Sequence, residues 1–270
     1  MARRWSLTHP LLRVIDGDTL DVDLNGDGRL DPPWERLRLL YIDAPEIEPS
    51  PKGLDLAHGL PAKAALAALV AAGPLQVEVL KGNERDRYGR TLAMLWAGPT
   101  PVNLELVRLG HAEFDTRFTF PSDYDAYVRA EAEAFTGRRG IWADAPSRAR
   151  YVARLRREGH TPQAPDNPAW LPGQYAVASL DSVGAVGRYV SVVGVVEERR
   201  PLRKGVVLIR LGDAERAASS RTLTVVAFQR TAELLGVNDW PVAARVRVEG
   251  FLARYKGRIE LKLHYARAAP

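Results

Sequence analysis

At 270 residues, 46% of them hydrophobic and 26% charged, the chain exceeds one ordinary domain and can form packed cores, which excludes disorder along its whole length. Lys and Arg outnumber Asp and Glu 38 to 33, a formal charge of +5 that favours a polyanionic partner. The absence of cysteine excludes disulfides, thiolate metal sites and cysteine nucleophiles, and no apolar run approaches the roughly 20 residues that cross a bilayer.

The start, Met-Ala-Arg-Arg-Trp, leads straight into a strand pattern without an apolar leader. The cytoplasm is therefore the default expectation, with a secreted or periplasmic location if a leader was removed beforehand. A monomer without membrane association is expected. From Leu11 to Leu24 the residues alternate as a half-buried strand interrupted by a turn at Asp16 and Gly17, and Arg36 to Ile42 reads as a second strand. Pro61 to Ala72, rich in Ala and Leu with proline near its start, predicts a helix. Leu75 to Lys81 and Thr91 to Trp96 read as strands, Val102 to Leu109 and Tyr124 to Phe135 as helices. A small barrel with helices around it is predicted for residues 8–145.

A basic helical stretch, Arg148 to Arg157, then runs into a proline-rich linker from His160 to Gly173, so 146–174 reads as a connector. In 175–270 the strands are Tyr189 to Glu198, Gly205 to Leu211, Thr222 to Phe228, Arg245 to Tyr255 and Arg258 to His264, with a short helix at Thr231 to Leu235. Five strands with a helix between the third and fourth is the plan of a small Greek-key barrel of the OB type. The fold class expected is mainly β with helices (α+β), comprising two OB-like five-stranded barrels.

Chemistry concentrates in three segments: IDGDT at Ile15 to Thr19, RLLYIDAPE at Arg38 to Glu46, and DRYGR at Asp86 to Arg90. Asp18 and Asp43 lie on separate strands and converge if those strands pair. Oxygen-only ligands suit Ca²⁺ or Mg²⁺ rather than zinc. Glu46, in a turn stiffened by Pro45, is the candidate to deprotonate a water, and Arg38 and Arg90 can each bond a phosphate bidentately. Asp-Gly-Asp alone is a common turn and Arg-Tyr-Gly-Arg alone a hairpin tip; it is their joint occurrence that points to phosphodiester hydrolysis.

These segments resemble the thermonuclease family, that of staphylococcal or micrococcal nuclease, over about Arg13 to Trp142. The resemblance implies an OB barrel with three helices that cleaves DNA and RNA with Ca²⁺ at the 5′-oxygen, leaving 3′-phosphates. It implies Ca²⁺ held by Asp18, Asp43 and the backbone oxygen of Ala44, catalysis by Arg38, Glu46 and Arg90, and substrate contacts from Lys52, Tyr88 and Phe118. Ala44 replaces a threonine, which a backbone ligand tolerates. Thr116 and Phe118 stand where the family has nucleotide-contacting tyrosines, so the phenol hydrogen bonds are absent while Phe118 can still stack.

Between the first two strands, Asp23, Asn25, Asp27 and Asp31 with Gly28 read D-x-N-x-D-G-x-x-D, the first half of an EF-hand Ca²⁺ loop lacking its closing glutamate; Trp34 stands there. Asn-Gly and Asp-Gly are equally the signals of an acidic hairpin tip. The second domain resembles OB-fold nucleic-acid-binding domains, with Arg199, Arg200, Arg203, Lys204, Arg210, Arg254, Lys256 and Arg258 among aromatic residues. Tyr255 and Lys256 are candidate contacts for single-stranded DNA or RNA, whereas Phe228 and Phe251 are expected in the core. The alternative is a non-catalytic nucleic-acid-binding scaffold, for which the full set Asp18, Arg38, Asp43, Glu46 and Arg90 would have no use.

Overall fold

The computed structural model describes residues 3–8, 10–47, 56–79, 84–116, 118, 121, 123–157, 160–162, 170–182, 186–187, 189–214 and 221–269. Strands β3 (Thr19–Val22) and β4 (Arg36–Leu39) show how its first unit, Met1–Ala149, is built. With a side-chain period of two, Leu20, Val22, Leu37 and Leu39 enter one core. Leu20, Leu37 and Leu39 are fully buried, worth about 2 kcal/mol each. The opposite face of the pair carries Asp21, Arg36 and Arg38, and the antiparallel register sets Thr19 against Arg38 and Asp21 against Arg36.

Strands β1 (Arg3–Leu7), β2 (Leu12–Val14), β6 (Leu75–Val79) and β7 (Thr91–Ala97) complete the sheet in the order β1-β6-β7-β4-β3-β2, in which β4 and β7 are parallel and every other neighbour is antiparallel. The pair β5 (Ile42–Asp43) and β9 (Glu113–Phe114) stands apart, and β8 (Thr100–Pro101) extends β7. Helices α1 (Leu56–Ala71), α2 (Val102–Arg108) and α3 (Tyr124–Thr136) supply Ala62, Leu66, Val70, Leu106 and Tyr127 to the same core. Asn103 staples α2 in place: its Nδ2 donates to Leu40 O at 2.8 Å and Ala93 O at 3.1 Å, and its Oδ1 accepts from Leu95 N at 3.0 Å. Helix α4 (Ala145–Arg157) follows.

In the second unit, Arg150–Pro270, β12 (Tyr189–Pro201), β13 (Val207–Asp213), β14 (Thr222–Ala227), β16 (Arg258–Ala268) and β15 (Arg245–Tyr255) pair in that order. Pairing of β15 back to β12 closes a five-strand barrel. Only β14·β16 is parallel within it. Helix α5 (Gln229–Leu234) lies between β14 and β15 in the chain, and the core gathers Val190, Val192, Ile209, Leu211, Val225, Val248 and Leu261.

Three expectations need correction. The strand predicted for Arg36 to Ile42 is broken: β4 ends at Leu39, and Tyr41 takes the left-handed conformation, φ 70°. The stretch from His160 to Gly173 is not all linker, because β10 (His160–Pro162) pairs with β11 (Trp170–Ala176), which adds to β12 in parallel. Pro162 fits because β10 is the outermost strand of this sheet, where a missing donor is tolerated, and Pro172 precedes the Gly173–Ala176 stretch that pairs with β12. Phe228 and Phe251 are not core residues, being 51% and 39% exposed.

Candidate active site

The IDGDT segment folds as a tight turn in which Ile15 N and Asp16 N both donate to Thr19 O, at 2.9 and 3.2 Å. Asp16 Oδ1 accepts from Asp18 N at 3.0 Å. Glycine is required at position 17, since a Cβ there would lie 2.6 Å from the Cβ atoms of both Ala44 and Ala62. This close approach seats Asp18 beside the 44–46 segment. Asp18 is buried; its Oδ1 accepts from Thr19 Oγ1 at 3.0 Å and its Oδ2 from Ala44 N at 2.8 Å. Burial pushes its carboxyl up to about 7 against the opposing pull of the Arg38 guanidinium, with Asp16 adding to the rise.

Arg38 leaves β4 beside Asp18, and the kink at Tyr41 folds the following residues back onto it. Its Nη1 donates to Leu39 O and Ile42 O, both at 2.8 Å. Its Nη2 donates to Asp43 Oδ1 at 2.9 Å and lies 3.1 Å from Asp18 Oδ2. The side chain is 5% exposed, and the guanidinium carbon stands 5.9 Å from the half-buried Phe118 ring. Two carboxylates from different strands thus meet on one nitrogen. A five-residue spacing on a straight strand would have set Arg38 and Asp43 on opposite faces.

The parallel pairing of β4 with β7 sets Leu37 against Thr91, so Arg90 enters the same end of the sheet. Gly89, φ 81°, makes the tight turn of DRYGR. Asp86 accepts from Arg90 Nε at 2.7 Å through Oδ2, and from Arg90 N at 3.0 Å and Tyr88 N at 2.9 Å through Oδ1. Glu46 is exposed, and its carboxyl is held above the usual range by partial burial and by Asp16 and Asp43, against Arg38 and Arg90. Every charge that acts on Glu46 belongs to this constellation. Asp16 and Asp86 are members that residue type and spacing do not reveal, although both lie inside the IDGDT and DRYGR segments.

Among the described residues no group of three or more His, Cys, Asp or Glu side chains is arranged to hold a metal. The donor set that does converge, Asp18 and Asp43 with the Ala44 backbone adjoining, is two hard oxygen anions and a carbonyl. It fits a hard divalent cation that completes its shell with water, and does not fit a soft one.

The remaining candidates lie elsewhere. Lys52 falls outside the described residues. Tyr88 is 62% exposed, its ring 4.7 Å from the Arg87 guanidinium and 5.6 Å from that of Arg90. In the acidic loop the carboxylates serve the backbone: Asp23 Oδ1 accepts from Gly26 N at 2.6 Å and Asp27 N at 3.2 Å, and Oδ2 from Gly28 N at 2.8 Å. Asn25 Oδ1 accepts from Asp27 N at 2.8 Å, and Glu35, fully buried, accepts from Leu24 N and Asp31 N, both at 2.8 Å. In the second unit Tyr255 is 56% exposed with the Lys256 ammonium 5.4 Å from its ring. Arg210 is matched by Glu197 at 3.0 Å and Glu198 at 2.7 Å, which removes it from the cations open to a phosphate.

The family model described as staphylococcal nuclease homologue matches residues 36–144. The chain is 33% identical over 132 residues, 48% of its length, to the SPbeta prophage-derived endonuclease YokF of Bacillus subtilis (strain 168). It is 33% identical over 132 residues, again 48% of its length, to endonuclease YncB of the same organism. It spans about half the length of these two relatives, 42% and 59%. With the thermonuclease of Staphylococcus hyicus it shares 31% identity over 139 residues, 51% of this chain and 76% of that enzyme.

Proposed function

Because the chain belongs to the staphylococcal nuclease homologue family, we propose that it is a Ca²⁺-dependent nuclease that hydrolyses phosphodiester bonds of DNA, RNA or both, on the 5′-oxygen side. The observation that carries this reading is the meeting of Asp18 and Asp43 on Arg38 Nη2. Asp18, Asp43 and the Ala44 carbonyl would hold the ion, whose positive charge, when bound, offsets the negative charge that builds on the phosphoryl oxygens. Arg38, aimed by two carbonyls, grips one phosphoryl oxygen of the substrate, and Arg90, aimed by Asp86, grips another. Glu46 takes a proton from a water facing the phosphorus. A bond forms from that oxygen to phosphorus, the bond to the 5′-oxygen breaks, and the leaving oxygen takes up a proton. The product ends in a 3′-phosphate. Phe118 and Tyr88 offer ring faces to bases on either side.

The second unit is read as an OB-type module that binds single-stranded nucleic acid, with Tyr255 stacking on a base and Lys256 on the backbone. The strand order of its closed barrel supports this reading.

Cleavage of single-stranded DNA, duplex DNA and RNA, each with Ca²⁺, Mg²⁺ or chelator, tests the assignment. Native chain should cleave with Ca²⁺ and stop with chelator, and Glu46→Gln should lower kcat by roughly 10²- to 10⁴-fold with the fold intact. Binding without cleavage by the native chain would instead identify a scaffold.

A further inference from the structure

The second unit contains a cavity that the residues discussed so far leave unexplained. It measures about 390 Å³ and lies where the 3-10 helix Val177–Ser182, the start of β14 and the turn between β15 and β16 meet. Arg221, Arg254 and Arg258 line it, and among the described residues no acid does. Arg221 Nη1 donates to Ala178 O at 2.8 Å and Arg254 Nη1 to Gly257 O at 3.2 Å, so the backbone orients two of the three guanidinium groups. Arg254 and Arg258 are exposed and have no ion-pair partner among the described residues. Val177 and Leu180, 5% and 4% exposed, give the cavity an apolar floor.

Arg254 and Arg258 are like charges on one concavity and repel each other, and that repulsion is relieved when an anion enters. The volume falls in the range of small-ligand sites and has room for one nucleotide unit. The neighbouring outer face of β13 and β14 presents Leu208, Arg210, Thr222, Thr224 and Val226, with no ring on which bases could stack. Recognition inside the cavity therefore falls to the phosphate backbone, and the exposed Tyr255, at the adjoining turn between β15 and β16, is left to meet a base.

We propose that this cavity seats a phosphodiester of a single-stranded polynucleotide, gripped by Arg221, Arg254 and Arg258. The proposal rests on the reading of the chain as a protein that acts on nucleic acid. Its task is to hold a strand at a point separate from the residues that cut it.

Fluorescence anisotropy of a labelled short oligothymidylate with the full chain in chelator, across a KCl series, tests the site without turnover; cleavage with Ca²⁺ is scored in parallel. Arg254→Ala/Arg258→Ala should weaken binding about 10- to 100-fold and flatten the slope of log Kd against log salt by about 0.7 for each phosphate no longer neutralised. Arg254→Lys/Arg258→Lys should keep most of the slope and give up part of the affinity, since an ammonium retains charge without the fork. Arg258→Glu, at an exposed residue, serves if the double variant does not fold. Native affinity and slope in these variants overturn the cavity assignment while the nuclease reading stands. Loss of binding in the variants of a chain that never cleaves supports the cavity and removes the nuclease reading.

Discussion

Asp86 commits both carboxylate oxygens to Arg90, and its side chain is only 3% exposed. On the proposed mechanism it is a positioning residue, fixing the Arg90 guanidinium before a phosphate arrives. Asp86→Ala should lower kcat/KM roughly 10- to 100-fold, the scale of a misplaced catalytic group. Measured in an Arg90→Ala background, the same change should have almost no further effect; a full additional loss would mean that Asp86 acts through something other than Arg90. Asp18, Arg38, Asp43, Glu46 and Arg90 are legible from residue type and motif. Asp16 and Asp86 are not, because their parts depend on which backbone amides a turn points at them.

At the scale of elements, β2, β3 and β4 are joined across their outer face by Asp21. It accepts from Arg36 Nε at 2.7 Å and Arg13 Nη2 at 2.7 Å while itself fully buried. Burial alone would raise its carboxyl, but the hydrogen bonds from Arg36 and Arg13 more than reverse this and hold it below the usual range. A depressed folded-state value gives stability that is present above the unfolded value of about 3.9 and lost as pH falls through the folded one. Urea midpoints should therefore drop below about pH 4 in the native chain, and Asp21→Asn should start lower and flatten that acid limb. Parallel profiles for the two would sink the assignment. The strands themselves are legible from alternation, but the break between β4 and β5 is not: Tyr41 is a good strand former, yet it takes a left-handed backbone with its ring packed 5.6 Å from that of Tyr127. Likewise β11 hides in a proline-rich stretch because Pro172 and Gly173 stand inside it, and neither residue type favours a strand. Hydrophobicity alone assigns Phe228 and Phe251 to the core, because it tells neither that Phe228 falls just past the end of β14, at the start of α5, nor that Phe251 faces outward from β15.

For the whole molecule, a nuclease unit and a strand-binding unit on one chain, as proposed, would raise the effective concentration of a polynucleotide at the proposed cutting residues. Removal of everything after Arg157 should raise KM for single-stranded polymer about 10²-fold or more while leaving KM for a dinucleotide analogue near its native value. Equal changes on both substrates would show that the second unit supports the fold of the first rather than holding strands. No described helix is long and apolar enough to cross a membrane.

The kink at Tyr41 also bears on how such a site can be moved or rebuilt. Arg38 is aimed by carbonyls one and four residues further along its own chain and by a carboxylate five residues along. Residues 38–43 are in this sense a cassette, largely complete before any distant strand arrives, and closing so short a loop costs little entropy. A host barrel that accepted this block would need to bring only an acid equivalent to Asp18, on a neighbouring strand, to reconstitute the pair.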